Sequence, residues 1–385
     1  MTVIDKPETL AAIPGDPGRV ECFIPTPCVQ NHAAFLHLLP GGDLGCVWFG
    51  GTQEGVPDIS VHFARLAQGA TRWTDPVRLS DDATRSEQNP LLFTAPDGKL
   101  WLLWTAQVSG HQDTAIIRRR ISDDGGRSWG PIGTMLDRPG VFIRQPIVVA
   151  RTGEWLLPAW LCPTPAAGAW RGDDDTALVL VSSDEGASWR AEDVPDSTGC
   201  VHMNILALHD GTLLALYRSR WADRIHASRS ADGIHWTAPQ PTELPNNNSS
   251  IQATVLANGH VALAYNHASA EQATGRRLSL YDDIGGELPA EAAPGVRSAF
   301  WGAPRAPMTV AISEDGGRSW PHRRDVEVGD GYCLTNNSKD RLNREFSYPS
   351  ILQAPDGALH LAFTYWRQAI KHVRIDEAWV KDSRA

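Results

Sequence analysis

Six short apolar segments, each interrupted by a glycine-containing turn, dominate the hydrophobic pattern of the chain. They read LLPGGDLGCVWF, LFTAPDGKLWLLW, VVARTGEWLLPAW, LALHDGTLLALY, VLANGHVALAY and LQAPDGALHLAF. Apolar runs of this length on both sides of such a turn are typical of β-hairpins. The turn glycines are Gly42, Gly98, Gly153, Gly211, Gly259 and Gly357.

The spacing of these turns predicts the architecture. Successive turn glycines are 56, 55, 58, 48 and 98 residues apart, and the long last interval contains an insertion at about residues 268–304. Periods of 48 to 58 residues lie in the range of propeller blades and exceed the strand spacing of a β-sandwich. With two hairpins per unit, the pattern predicts an all-β fold, a six-bladed β-propeller. We expect one domain over residues 20–385, after an N-terminal extension of residues 1–19.

A second motif, S-x-D-x-G-x-x-W, alternates with the hairpins. It is intact at residues 122–129, 182–189 and 313–320, is one residue shorter at residues 230–236, and is reduced to Trp73 in the first unit. In such a turn the aspartate accepts backbone N–H bonds, the glycine adopts a positive φ and the tryptophan packs on the hairpin. We therefore expect these residues to stabilise turns and to take no part in chemistry.

The common register of the hairpins also predicts a site. The innermost strand of a propeller blade starts at the mouth of the central channel, so the residue about nine positions before each turn glycine should face that mouth. These positions are polar in all six units, which favours a polar pocket on an apolar scaffold. They are Asn31 and His32, Asn89, Arg144, His202, Asn248 to Ser250, and Tyr348.

The second strand of each hairpin returns to the same end, and its exit loop adds a second ring of side chains. In the first unit the loop GGTQEGVPD carries Glu54 and Asp58, two carboxylates placed at the pocket rim for general acid–base chemistry. The other loops carry Gln107, Trp160, Arg218, Arg220, Asn266, His267 and Arg367.

The intact and shortened S-x-D motifs resemble the Asp-box (BNR) repeats of the sialidase superfamily, from about residue 20 to residue 375. Within it, the chain is most similar to BNR-repeat sialidase-like proteins of bacteria and plants that carry an NPxLF second blade and a SYPS sixth blade. The resemblance implies a tyrosine nucleophile at Tyr348 and an acid/base carboxylate in the blade-one loop, where Glu54 and Asp58 stand. It also implies that Arg305 grips a substrate carboxylate.

The chain departs from the sialidase pattern at two positions. Sialidases begin blade one with an Arg-Ile-Pro signature whose arginine binds the carboxylate of sialic acid, and this chain has Asn31-His32-Ala33 there. The glutamate that activates the tyrosine should lead blade four, where His202 stands. Loss of one bidentate arginine from such a clamp argues against sialic acid as the substrate.

The leading hypothesis is a hydrolase that removes an acidic or densely hydroxylated sugar from the non-reducing end of a glycoside. In this hypothesis Tyr348 is the nucleophile, His202 or Glu345 activates it, and Glu54 protonates the leaving oxygen. Positive charge for a substrate carboxylate comes from Arg144, Arg218, Arg305 and Arg367.

Two alternatives stay open. The first is a lyase that cleaves by β-elimination next to a uronate, with His32, His202 or Tyr348 moving the protons. The second is a carbohydrate-binding propeller without chemistry. Its stacking platforms would be Trp160, Trp301 and Trp366.

Composition and charge narrow the partners. The 385 residues carry a net charge of −10 and no long run of lysine or arginine, which argues against nucleic acid. No stretch approaches 18 uninterrupted apolar residues, and the start MTVIDKPETLAAIPG lacks the features of a signal peptide, so we expect no membrane association and a cytoplasmic protein. The six cysteines form no CxxC pair, the histidines show no metal-ligand spacing, and no phosphate-binding glycine loop follows a strand. We therefore expect neither a metal nor a cofactor.

Overall fold

The computed structural model describes residues 4–285, 288–290 and 295–382. These residues form six antiparallel sheets, which confirms the predicted six-bladed β-propeller. Helix is almost absent from the described residues: two single turns of 3-10 helix, Gln112–Thr114 and Ala270–Gln272, and one short α-helix, α1 (Glu377–Lys381).

The strands of the first half of the chain build blades one to three. Two strands precede blade one, β1 (Ala11–Ile13) and β2 (Asp16–Ile24). Blade one comprises β3 (Gln30–Leu38), β4 (Leu44–Gly51), β5 (Ser60–Leu66) and β6 (Val77–Arg78). Blade two comprises β7 (Arg85–Thr94), β8 (Leu100–Val108), β9 (Ile116–Ser122) and β10 (Gly133–Leu136). Blade three comprises β11 (Val141–Ile143), β12 (Val148–Val149), β13 (Trp155–Leu161), β14 (Thr176–Ser182) and β15 (Arg190–Asp193).

The second half of the chain builds blades four to six. Blade four comprises β16 (Cys200–Ala207), β17 (Leu213–Ser219), β18 (Arg224–Ser230) and β19 (Gln240–Pro245). Blade five comprises β20 (Gln252–Val255), β21 (Val261–Asn266), β22 (Met308–Ser313) and β23 (His322–Glu327). Blade six contains β24 (Phe346–Gln353), β25 (Leu359–Tyr365) and β26 (Ala369–Ile375).

The N-terminal strands complete blade six. Strand β2 pairs with β26, with Val20 opposite Arg374 and Ile24 opposite Ile370, and β1 pairs with β2. Residues 11–19, which the sequence analysis assigned to an extension, thus lie largely in the sheet. Hydrogen bonds between the two ends of the chain therefore close the ring, and the outer side of β26 is paired with β2.

The predicted turns have the expected geometry. Each turn glycine joins the first two strands of its blade, so all six turns lie at one end of the propeller. In the turn after β9, Ser122 Oγ accepts from Gly126 N at 2.7 Å, and Asp124 Oδ1 accepts from Ser128 N at 2.8 Å. The same bonds recur in the turns at Ser182 and Ser313. These aspartates therefore organise their own turns, far in the chain from the channel mouth.

Tryptophans account for much of the packing between blades. Trp155 of blade three meets Phe93 and Trp101 of blade two edge to face, at ring-centroid distances of 4.9 and 5.4 Å. Both neighbours belong to one apolar cluster that runs through blades one, two and three. Aromatic rings in this arrangement bury large apolar areas with favourable geometry, which explains why tryptophan supplies half of the aromatic residues.

A membrane-spanning helix is not among the elements of the described residues, since none of their helices has the necessary length and apolar character.

Candidate active site

A repeated backbone distortion marks the start of the innermost strands. Ala33, Asn89, His202 and Tyr348 each lie nine residues before a turn glycine, and each has a positive φ, between 51° and 61°. At each of them the pairing with the second strand of the blade shifts register. A left-handed conformation costs a non-glycine residue about 1–2 kcal/mol, so its recurrence at four equivalent positions requires a structural cause. In blades two, four and six the bulge lies at the residue that the register indicated, whereas in blade one it falls on the apolar Ala33, directly after the predicted Asn31 and His32.

Tyr348 and Arg218 form the centre of the site. Arg218 Nη1 donates to Tyr348 Oη at 2.8 Å and to His202 Nε2 at 3.1 Å. Its Nε donates to Asn248 Oδ1 at 2.8 Å. Blades four and five therefore hold the guanidinium group in place, and the guanidinium group holds the phenol of blade six.

Three arginines surround the Tyr348 ring. The guanidinium carbons of Arg144, Arg218 and Arg305 lie 5.6, 5.7 and 5.7 Å from its centroid. Arg144 and Arg218 are buried, and no carboxylate of the described residues lies within 4.0 Å of either. Burial lowers the pKa of each to about 10. Two buried cations without counter-ions make the space around Tyr348 favourable for an anion.

Arg144 acts on the backbone of the site. It donates to the carbonyl oxygens of Ala33 at 3.2 Å, Ala34 at 2.7 Å and Tyr348 at 3.3 Å. Two of these residues, Ala33 and Tyr348, have the left-handed conformation. Arg144 thus spans the channel beneath the phenol ring and ties the bulges of blades one and six together, which makes it a positioning residue.

Two buried carboxylates lie beside this centre. Glu345 accepts from Arg305 at 3.3 Å and from Arg367 at 2.9 Å, and Glu54 accepts from Arg367 at 2.5 Å. Burial alone would raise the pKa of Glu345, but Arg305 and Arg367 hold it below its usual range. Arg367 therefore links the blade-one loop to blade six, and Glu345 stays ionised.

The two histidines of the site are neutral. Burial, reinforced by the surrounding arginines, holds the pKa of His32 and His202 well below 6.5. Because Arg218 donates to Nε2 of His202, the proton of this ring is assigned to Nδ1, which lies 3.0 Å from Ser250 Oγ. The ring of His32 lies 4.3 Å from that of Tyr348, and its buried Nε2 has no hydrogen-bond partner. His202 Nε2 faces Arg218, so the geometry gives no support to His202 as the group that activates Tyr348.

Not every predicted residue lies at the centre. Asp58 is exposed and accepts from Thr52 N at 3.2 Å, so it shapes its own loop. The amide of Asn31 bonds the carbonyl of Cys28 at 2.8 Å and accepts from Trp48 at 3.1 Å, and both bonds are structural. Asn89 occupies its bulge in blade two.

The three tryptophans proposed as platforms have different surroundings. Trp160 stacks on His202 at 4.2 Å and is buried. Trp301 lies against Arg218, 5.6 Å from its guanidinium carbon. Trp366 stacks on Tyr365 at the edge of blade six. Only the first two border the site.

Sequence reasoning missed two groups of site residues. Asp175 forms a buried ion pair with Arg220 at 2.6 Å, and Arg220 in turn lies under Trp301. Asp175 stands in the run GDDDT, which has the pattern of a solvated loop, so no local signal singled it out. Tyr281 of the blade-five insertion was also missed: its hydroxyl lies 3.0 Å from Gln107 Nε2 and 3.1 Å from Gln112 Nε2.

One cluster of potential metal ligands occurs among the described residues, at the outer surface of blades five and six. It comprises His260, Glu314 and Glu377. The Lys381 ammonium group lies 2.6 Å from Glu314 and 2.7 Å from Glu377, so a side-chain cation already neutralises these carboxylates. The ion-pair network with Lys381 explains this cluster.

The comparisons with known proteins agree on the fold. The chain matches the family described as BNR repeat-like domain over residues 42–361. No curated protein matches it by sequence. Its structure is similar to the Hadza microbial sialidase Hz136, with a TM-score of 0.66 and 12% identity over 92% of this chain and 67% of that one. A protein of unknown function from Dyadobacter fermentans gives a TM-score of 0.66 and 15% identity over 94% and 99%. The NanB sialidase of Streptococcus pneumoniae gives 0.66 and 9% over 92% and 69%. At these identities the likeness shows a shared fold.

Proposed function

This chain belongs to the BNR repeat-like domain family, and from that premise we propose that it is a sialidase-like glycoside hydrolase. Its substrate is a glycoside that carries an acidic sugar at the non-reducing end. One observation carries the proposal: the Tyr348 hydroxyl accepts from Arg218 at 2.8 Å inside a ring of three arginines. Sialidases are among its structural neighbours and share the fold, and we base the proposed reaction class, glycoside hydrolysis, on them.

The arrangement suits nucleophilic attack by a phenol. As Tyr348 Oη bonds to the anomeric carbon, the glycosidic C–O bond breaks and the phenol proton is relayed to the leaving oxygen. Water then hydrolyses the sugar–tyrosine bond and returns a proton to Oη. Arg218 stabilises the negative charge that develops on Oη, because its N–H already points at that atom. We assign this proton relay to Glu54, which is ion-paired with Arg367 as a carboxylate and must therefore accept a proton before it donates one to the leaving oxygen.

Arginines are available to bind a carboxylate of the substrate, but none of them comes from blade one. Arg218 Nη2 is buried and has no hydrogen-bond partner. The position that carries an arginine in sialidases holds Asn31, whose amide is bonded to Cys28 and Trp48, and the next residue, His32, is neutral. We therefore propose an acidic sugar other than sialic acid, whose carboxylate lies against Arg218 and Arg305.

The test is the substitution Tyr348→Phe on a panel of aryl glycosides of uronic and ulosonic acids. Removing one hydroxyl should reduce kcat at least 1,000-fold and leave substrate binding and unfolding temperature nearly unchanged. Tyr332→Phe, on the half-buried blade-six loop, is the matched control and should behave as wild type. Wild-type turnover by Tyr348→Phe would contradict the mechanism, and tight binding without turnover in the wild-type protein would favour the binding-module alternative.

A lyase is the second candidate, and the unpartnered His32 Nε2 beside the Tyr348 ring favours it. β-Elimination needs a neutral base at the α-carbon of a uronate and an acid at the leaving oxygen, and a neutral imidazole beside a phenol supplies both. Its product is an unsaturated uronate. If the protein is a lyase, incubation with uronate-containing oligosaccharides should therefore increase the ultraviolet absorbance. If it is a hydrolase, the absorbance should not change.

A further inference from the structure

The site is closed in this structure. Tyr348 is only 4% exposed, and Arg218, Glu54 and Glu345 are buried to a similar degree. A glycoside cannot reach the phenol unless a covering element moves. The insertion between β21 and β22 of blade five supplies such an element.

Residues 277–285 of the insertion, here named the roof, lie across the channel mouth and touch three other blades. Tyr281 Oη is within 3.0 to 3.5 Å of the amides of Gln88, Gln107 and Gln112 in blade two. Its ring packs in one apolar cluster with residues of blade three, including Cys162. In the loop before blade six, Asn336 Nδ2 donates to the Leu280 carbonyl at 2.5 Å.

The roof rests directly on the blade-one loop that carries Glu54. Gly55 follows Glu54, and a Cβ atom built on it would lie 2.6 Å from Ile284 Cδ1 and 2.8 Å from Tyr281 Cε1. Gly55 also has a φ of +96°. Only glycine lets the loop and the roof approach so closely.

The base of the roof is joined to the site itself. Arg277 N donates to the Trp301 carbonyl at 3.0 Å, and the Trp301 ring lies 5.6 Å from the guanidinium carbon of Arg218. Trp301 therefore connects the base of the roof to Arg218, the residue that binds the Tyr348 hydroxyl.

We propose that the roof closes over a single terminal sugar and that Tyr281 determines this specificity. A sugar inside a chain would have to extend through the space that Tyr281 occupies between blades two and three. The substrate-length limit rests on the proposed function, whereas the covering role of the roof does not.

Cys162 offers a readout of the roof that needs no substrate. Its Sγ lies 3.5 Å from Gln112 Oε1, and Gln112 Nε2 lies 3.1 Å from Tyr281 Oη. Burial raises the pKa of the Cys162 thiol well above its ordinary value. Since the thiolate is the form that reacts with alkylating agents, Cys162 should be protected while the roof is closed.

The experiment measures alkylation by iodoacetamide in the full chain, with each cysteine followed by peptide mass spectrometry. In Tyr281→Ala, iodoacetamide should alkylate Cys162 at least tenfold faster than in the wild-type protein. Tyr281→Phe should increase this rate by a smaller factor. Leu278→Ala is the matched control, because its side chain is 61% exposed on the same segment. Cys46, buried in the core of blade one, reports the intact fold and should stay unlabelled in all four proteins.

If Cys162 is as well protected in both Tyr281 variants as in the wild-type protein, the proposal that the roof covers the site is wrong. If Tyr281→Ala also exposes Cys46, the variant has unfolded, and Tyr281→Phe then decides by the same criterion.

The specificity is tested by the ratio of kcat/KM for an aryl glycoside to that for an oligosaccharide with the same acidic sugar at an internal position. Tyr281→Ala should lower this ratio at least tenfold, and an unchanged ratio would overturn the specificity role. If the wild-type protein turns over no glycoside while Cys162 behaves as expected, the proposed function is wrong and the roof stands.

Discussion

Arg144 shows that a residue can determine the geometry of a reactive group from beneath it. Its guanidinium group bonds three backbone carbonyls and lies 5.6 Å from the centroid of the Tyr348 ring. Those bonds hold Ala33 and Tyr348 in a conformation that costs energy, which the network must offset. The orientation of the phenol thus depends on blade three as much as on its own blade.

Replacing Arg144 with Met tests this role. The three carbonyls lose their donor in a buried place, so the free energy of unfolding should fall by about 2–4 kcal/mol. Arg151→Met, an exposed arginine of the same blade, should change it by less than about 0.5 kcal/mol. Urea unfolding followed by tryptophan fluorescence measures both. A loss of turnover with unchanged stability would show that Arg144 acts on the substrate instead.

At the scale of elements, each S-x-D turn of blades two to five is stabilised by its own hydrogen bonds. In the turn at Ser313, Asp315 accepts from Arg318 N and Ser319 N, at 2.9 Å each, and from Ser319 Oγ at 2.6 Å. Burial opposes ionisation more than any single bond favours it, but the bonds together lower the pKa of Asp315 to about 2. The carboxylate is therefore ionised at neutral pH and in mild acid.

Asp315→Ala should lower the free energy of unfolding by about 1 kcal/mol, because the turn loses its charged acceptor. Turnover per folded molecule should not change, since the turn lies at the outer part of blade five. Asp315→Asn keeps one acceptor oxygen and should lose less. Thermal unfolding and single-substrate kinetics on the three proteins check both statements, and a large fall in kcat at constant stability would contradict them.

The hairpins were predictable from sequence because local chemistry determines them: apolar runs and a turn glycine such as Gly98 suffice. The channel-mouth positions followed from the same register. Residues whose role depends on distant contacts could not be predicted. Tyr281 meets glutamines that lie 169 to 193 residues away in sequence, and the choice between Glu54 and Asp58 depends on which one Arg367 reaches. The pairing of β2 with β26 is likewise a property of the closed ring.

At the scale of the whole molecule, the interior holds several histidines whose burial disfavours protonation in the folded state. Burial holds the pKa of His32, His202 and His372 well below 6.5, and that of His62 and His360 near 4. In the unfolded chain these side chains titrate near 6.5. Between those pKa values the unfolded state binds more protons than the folded state. The contribution of these histidines to the free energy of unfolding is therefore fully present above pH 6.5 and decreases as the pH falls below it.

We expect stability to decline from pH 6.5 to pH 5, well above the range in which carboxylates titrate. Each buried histidine contributes up to about 1.4 kcal/mol per pH unit. His372→Gln should make the slope smaller by about one such contribution, and His209→Gln, which removes an exposed imidazole, should leave it unchanged. Urea unfolding at half-unit pH intervals measures the slope. A flat profile over this range would show that these rings are accessible to protons in the folded state.

The closure of blade six has a consequence for how the protein is made. Strand β2 (Asp16–Ile24) leaves the ribosome early, but its partner β26 (Ala369–Ile375) is translated last. Blades one to five can form in order as they emerge, since the strands of each are consecutive. Until the last blade is complete, β2 presents an unpaired edge, which is a site for wrong pairing with another chain. Translation that stops before residue 369 therefore leaves an open ring in which β2 lacks its partner β26. Chaperones then have to shield the exposed edge of β2.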